Sequence, residues 1–185
     1  MSATATRMTA EAYFATSVEG DHAQLVDGEI VVNEPRPIHA QLHIALAASL
    51  KAWTDAAEGR GLALLPTDVV IDEWNVFGPD VLWIAERHRP ADLRERLARA
   101  PDLCAEIRSP GTWRYDIGRK KAVYEEAGLP ELWLIDDAAE TVLVFRRSVP
   151  RAPTFDATLE LAGDDVLRSP QLPGFELSLR RLFAP

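Results

Sequence analysis

Glu106 and Lys120 stand where a charge is costly. Glu106 lies in LCAEI (residues 103–107), a short apolar run that reads as a buried strand. Lys120 lies between Tyr115 and Ala127, a segment whose pattern predicts a helix. At about 100° per residue, Ile117, Val123, Tyr124 and Ala127 form an apolar stripe, with Lys120 near its middle and Arg119 and Lys121 to its sides. A glutamate inside a strand and a lysine on the inner face of a helix each need a partner. Asp80 is the third such residue. It follows Pro79 and opens the apolar run VLWIA.

Two strand carboxylates that converge offer oxygen ligands to a hard divalent cation such as Mg2+, or Mn2+ in its place. The main-chain carbonyl after Glu106 adds a third oxygen. An ammonium beside them orients water and stabilises charge on a phosphoryl oxygen. Together these groups are equipment for phosphodiester hydrolysis. The competing reading is structural: Asp80 and Glu106 would form buried ion pairs with Arg108 or Lys120. Asp116 either caps the helix or orients Lys120. His39, at the first turn of a long helix, either joins the site or makes an ordinary hydrogen bond. Glu29 is an accessory candidate or a solvated hairpin residue. The tryptophans Trp74, Trp83 and Trp133 read as packing residues.

Several elements must position these groups. Residues 1–8 read as a flexible tail, and residues 9–185 as one domain. Thr9 can cap a short helix. HAQLVDGEIVV (22–32) reads as two strands joined by an Asp27–Gly28 turn. Pro35 and Pro37 then break regularity. From Ile38 to Ala57, Leu42, Ala45, Leu46, Ser49, Leu50 and Trp53 recur at helical spacing, and Gly59 and Gly61 end the helix. LALLPTDVVID (62–72) is a strand candidate, with Pro66 at a bulge or edge. A turn around Asn75–Gly78 leads to the strand after Asp80. Residues 90–100 predict an arginine-rich helix with Asp92 in its first turn. ELWLID and TVLVFRR read as strands, followed by short strands in the tail. This order predicts an α+β fold, a mixed sheet flanked by helices.

Bulk composition narrows the setting. One cysteine, Cys104, permits no internal disulfide and points to a reducing, cytoplasmic location. Its place in LCAEI suits a small core hydrophobe. One Cys and four scattered His make no familiar zinc site. The start shows no apolar run of a secretory signal, and no stretch is long enough to span a bilayer. The net charge of −9 argues against a binder driven by charge alone. Between Arg87 and Lys121, however, ten basic residues meet only Asp92, Glu95, Asp102, Glu106 and Asp116.

The order of motifs resembles the PD-(D/E)XK restriction-endonuclease-like superfamily and, more narrowly, its bacterial Uma-two family, a domain of unknown function. The resemblance is carried by EPRPIHAQ (34–41), GPDVLWI (78–84), the stretch 103–136 and LPGFELSLRRLF (172–183). It implies a restriction-endonuclease-like core with an N-terminal hairpin and C-terminal strands, a metal held by Asp80 and Glu106, and a nucleic-acid substrate. In the broad superfamily the lysine stands two residues after the acidic residue, where this chain has Arg108. In the narrower family the basic role moves to the following helix, and its Asp, Lys and Tyr spacing matches Asp116, Lys120 and Tyr124. A homodimer is implied as well, and exposed apolar tail residues with the final Leu182–Phe183 pair also suggest a dimer, without showing which surface pairs.

The leading expectation is therefore a Mg2+-dependent endonuclease with Asp80, Glu106 and Lys120 as catalytic residues. Its rivals are a catalytically weak or inactive protein of the same fold that binds nucleic acid or protein, and a hydrolase of small phosphate esters. An arginine at 108 bears on that choice. It could contact phosphate, or pair with Glu106 or Asp116 and weaken the metal site.

Overall fold

The computed structural model describes residues 7–16 and 23–184. Thr9 accepts the Ala12 N–H through Oγ1 at 3.2 Å and so caps the first helix, α1 (Ala10–Thr16). Met8 donates to the Gly28 carbonyl at 3.0 Å, so order begins before the expected end of the tail; residues 1–6 of that tail, and His22 of the expected first strand, lie outside the described residues. Strands β1 (Ala23–Val26) and β2 (Glu29–Val32) pair antiparallel about Asp27 and Gly28, both at positive φ, as a two-residue turn between right-twisted strands demands.

Helix α2 (Pro37–Asp55) begins with the proline whose missing N–H costs nothing there. It buries His39, Leu42, Leu46, Leu50 and Trp53 along one stripe. The run 62–72 is not one strand. Pro66 ends β3 (Leu62–Leu64), and β4 (Val69–Asp72) enters a different sheet. The expected turn at Asn75–Gly78 is instead largely a third strand, β5 (Asn75–Phe77), with the reversal made by Glu73 and Trp74.

Strand β6 (Val81–Ile84) leads through a 3-10 turn (Glu86–His88) into a connection without further helix. The helix expected over 90–100 is absent. Asp92 turns its carboxylate onto the Arg94 N–H, and the Leu97 carbonyl accepts from Val70 N–H at 2.9 Å. A local side-chain turn and a long-range bridge thus replace the helical ladder. Strand β7 (Leu103–Ile107) follows, then helix α3 over residues 113–126, then β8 (Glu131–Asp136), β9 (Thr141–Arg146) and β10 (Ala157–Ala162). The chain ends with β11 (Val166–Leu167), β12 (Leu177–Ser178) and the short α4 (Leu179–Leu182).

The main sheet has the order β10-β9-β8-β7-β6-β3 and is antiparallel except at β7 and β8, which α3 connects. A smaller sheet has the order β2-β1-β5-β4. Alternation in β7 divides the core. Leu103, Ala105 and Ile107 pack with α2, with Trp133 of β8 and with the tail, including Phe175 and Leu182. Cys104 faces the other way, with Tyr124, Leu132, Leu134 and Phe77. Glu106 has the parity of Cys104 and therefore faces α3. Leu182 is buried, and Phe183 packs half-buried against the first cluster. Among the described residues no helix is long and apolar enough to cross a membrane.

Candidate active site

The strand register brings the two carboxylates together. Leu82 pairs with Cys104 and Val81 with Ala105, so one step further Asp80 lies across from Glu106 on the face turned to α3. The main chain fixes this arrangement: Asp80 Oδ2 accepts the Ile107 N–H at 2.7 Å. The other oxygen, Oδ1, is 3.2 Å from His39 Nε2 at the start of α2. Asp80, Glu106, His39, Asp116 and Lys120 are all buried.

Helix α3 supplies the cation. Its middle, Asp116–Lys120, is a π-helical turn between two α-helical pieces. A turn closed by i→i+5 bonds advances less per residue than an α-helix. Asp116 and Lys120, four apart, both point inward, while Ile117 turns outward and is 46% exposed. Of the expected stripe, Val123 and Tyr124 are buried, but Ile117 and Ala127 are exposed. Lys120 Nζ lies 2.7 Å from Glu106 Oε1 and 3.0 Å from Asp116 Oδ1. The Tyr124 hydroxyl donates to Glu106 Oε1 at 2.8 Å. Asp116 does not cap the helix. It accepts from Thr112 Oγ1, which also meets Ser109 Oγ at 2.7 Å.

Burial sets the protonation states. It pushes the Glu106 carboxyl up to about 8; Lys120 opposes the shift, and Asp116 and Asp80 add to it. Burial also works against the Lys120 ammonium, but Asp116 and Glu106 outweigh it and raise its pKa. For His39 burial is likewise the largest influence, yet the close contact and charge of Asp80, with Glu106 and Asp116, lift the imidazole above its ordinary value. His43, one turn along α2 with its ring 6.2 Å from that of His39, is lowered by burial. Cys104 is buried in β7, and burial holds its thiol well above the ordinary range.

Six buried side-chain atoms among the described residues lack an aligned hydrogen bond, and four belong here: His39 Nε2, His43 Nε2, Asp116 Oδ1 and Lys120 Nζ. The ion pairs of Lys120 and His39 are thus close contacts rather than aligned hydrogen bonds. Such clustering of unmet polar atoms is unusual in a folded core. No three His, Cys, Asp or Glu side chains among the described residues form a ligand cage. The donors are two hard carboxylates in a site crowded with negative charge, which suits an ion that completes its shell with water or phosphate oxygen.

The other candidates lie apart. Arg108 pairs with neither Glu106 nor Asp116; its Nη1 reaches Asp136, at the end of β8, at 2.8 Å. Glu29 is exposed on β2. The basic segment is divided. Arg87, Arg89, Arg94, Arg96 and Arg99 belong to the connection that leaves β6 at the end away from Asp80, whereas Arg108, Arg114, Arg119, Lys120 and Lys121 are carried by the β7–α3 segment. His43 escaped the sequence reading, although its spacing of four from His39 puts both on one helix face. The bidentate pair of Arg119 with Asp27, at 2.6 and 2.8 Å, ties the hairpin turn to the π-helical turn and has no local sequence signal.

A family model described as "Uma2: Putative restriction endonuclease" matches residues 10–180. The chain belongs to the Uma2 family. Among solved structures it is similar to a "putative nuclease belonging to DUF820" from Anabaena variabilis, with a TM-score of 0.80, 19% identity, and coverage of 96% of this chain and 98% of that one. That likeness establishes the fold: the expected α+β architecture, a mixed sheet with flanking helices, is the one shared with this neighbour. No curated protein matches the chain. Within the Uma2 fold, then, the register that sets Asp80 against Glu106 and the helix that brings Lys120 are the features on which a functional reading rests.

Proposed function

We propose that this Uma2 protein is a divalent-metal-dependent endonuclease that hydrolyses phosphodiester bonds in nucleic acid. The observation that carries the proposal is the meeting of Asp80, Glu106 and Lys120 at one buried point on a fold shared with a nuclease-like protein. Asp80 and Glu106, with the Ile107 carbonyl, would hold Mg2+ or Mn2+. When bound, the ion supplies Lewis-acid polarisation of the phosphate and acidifies a bound water. Lys120 holds Glu106 through Oε1 and leaves Oε2 for that role. Asp116 and Tyr124 position Lys120 and Glu106, and His39 braces Asp80. Arg108, engaged by Asp136, does not compete for Glu106.

Single-turnover cleavage of mixed DNA and RNA substrates with Mg2+ or Mn2+ is the test. The expected result is cleavage by wild type and its loss in Asp80→Ala; equal residual rates in the two would end the proposal. The net charge of −9 favours one alternative, a non-catalytic binding protein on this fold. Calorimetric titration separates them, since the absence of Mg2+ or Mn2+ binding at millimolar concentration supports the binding role. We place the protein in the cytoplasm as a homodimer, the latter testable by sedimentation, with the exposed Ile30 and Val32 of β2 as a candidate contact.

A further inference from the structure

The connection from β6 to β7, residues 85–102, is long for a compact domain, yet it is pinned in place. Leu97 packs with Val69, Leu82 and Ile84. Asp102 N–H donates to the Trp83 carbonyl at 3.0 Å, and Gln171 Nε2 donates to the Asp102 carbonyl at 2.9 Å. Around these pins lies a cavity of about 460 Å³, within the range of small-molecule sites. Much of its wall is apolar, with Ile84, Pro90, Leu97, Ala98 and Pro101 among the lining residues.

One wall carries a built polar group. Asp102 is 2% exposed. Its carboxylate accepts the Ala85 N–H at 2.9 Å and the Arg87 guanidinium at 3.1 Å, and lies 2.8 Å from His88 Nδ1. A carboxylate only accepts, so Nδ1 carries the proton. In its neutral form the ring presents Nε2 as a lone-pair acceptor, backed by a charge that strengthens it. Among the described residues no hydrogen bond reaches Nε2. The group is separate from the candidate active site. Asp80 and Glu106 stand at one end of the antiparallel pair β6 and β7, and the connection springs from the other.

We propose that this cavity binds a small apolar molecule bearing a single acidic O–H or N–H, of which a phenol is the simplest class. The lining selects an apolar body. The oriented imidazole selects one donor, and the carboxylate behind it favours an acidic one. Asp102 itself is occupied and takes no part in contacting the molecule.

4-Nitrophenol and 4-nitroanisole test this, since they differ by the methyl group that removes the donor. Equilibrium dialysis against the full chain is expected to show saturable 4-nitrophenol binding and about tenfold weaker 4-nitroanisole binding, the worth of one hydrogen bond. His88→Phe keeps a ring but removes the acceptor, and should reduce the phenol to the level of the ether. Ala98→Trp fills the cavity from its exposed side and should abolish binding of both. No saturable 4-nitrophenol binding, equal affinity for the two compounds, or binding unchanged in a folded variant of either kind overturns the proposal. The wild-type comparison decides even if a variant fails to fold. Cleavage plays no part in the readout, so the result is independent of the nuclease reading.

Discussion

Replacing Glu106 by Gln should change how stability depends on pH. The Glu106 carboxyl is raised from 4.5 to about 8, first by burial and then by Asp116 and Asp80, against the pull of Lys120. Between those values the folded protein holds a proton that the unfolded chain has lost. Stability therefore falls as pH rises, by about 1.4 kcal/mol per unit, and the decline ends above pH 8. Over the whole window the loss approaches about 5 kcal/mol. Glu106→Gln keeps an acceptor for the Tyr124 hydroxyl and leaves Lys120 with Asp116 at 3.0 Å, but it removes the titration. Urea unfolding of wild type and variant at pH 5.5, 7 and 8.5 isolates the contribution. The expected outcome is a variant that gains on wild type with each step up in pH. Divalent cation should reverse the wild-type trend, since an ion beside Glu106 favours the ionised form, and Mn2+ should raise the melting temperature more at pH 8.5 than at pH 6. Parallel stability curves for the two proteins across this range would refute the assignment of Glu106 as a buried, proton-holding acid.

Three further outcomes follow from the same geometry. Lys120→Met leaves Glu106 and Asp116 without their shared cation and should cost about 3 to 5 kcal/mol at pH 8.5, measured by chemical denaturation, with a smaller loss at pH 5.5 where Glu106 carries its own proton. Arg108→Ala breaks a pair with Asp136 in which the arginine is 37% exposed; the expected stability loss is below about 1 kcal/mol, and single-turnover cleavage should stay within a few-fold of wild type. Gly61→Ala places a Cβ 2.1 Å from the Ile84 carbonyl at φ +75°, so a melting-temperature drop corresponding to more than about 2 kcal/mol is expected.

The legible parts of the sequence were those where residue type conflicts with its setting. A glutamate in LCAEI and a lysine on an inner helix face announce themselves because burial penalises both. The illegible parts depended on distant partners. Leu93 and Leu97, four apart, imitate a helix stripe, but Leu93 is 55% exposed and Leu97 finds its neighbours on β4 and β6. Val69–Asp72 and Leu62–Leu64 read as one strand because nothing local says that they belong to different sheets, although Pro66 marked the break. The dyad of His88 and Asp102 spans a loop whose closure no periodicity reports.

The placement of the lysine follows from where the strand ends. Position 108 lies just past the last residue of β7, and its arginine is drawn to Asp136 at the end of the parallel neighbour β8. A cation for Glu106 must then come from above the sheet, and the first helix after β7 is the nearest source. Residues four apart share a helix face, so Asp116 and Lys120 both turn inward to the site while Ile117, beside Asp116, is turned out to solvent. Their segment is a π-helical turn, and Arg119 anchors it to Asp27 in the hairpin. The result is three buried carboxylates, Asp80, Glu106 and Asp116, facing one ammonium and one imidazole. That shortage of positive charge contributes, after burial, to the raised Glu106 pKa, and it is also the reason the site suits a divalent cation.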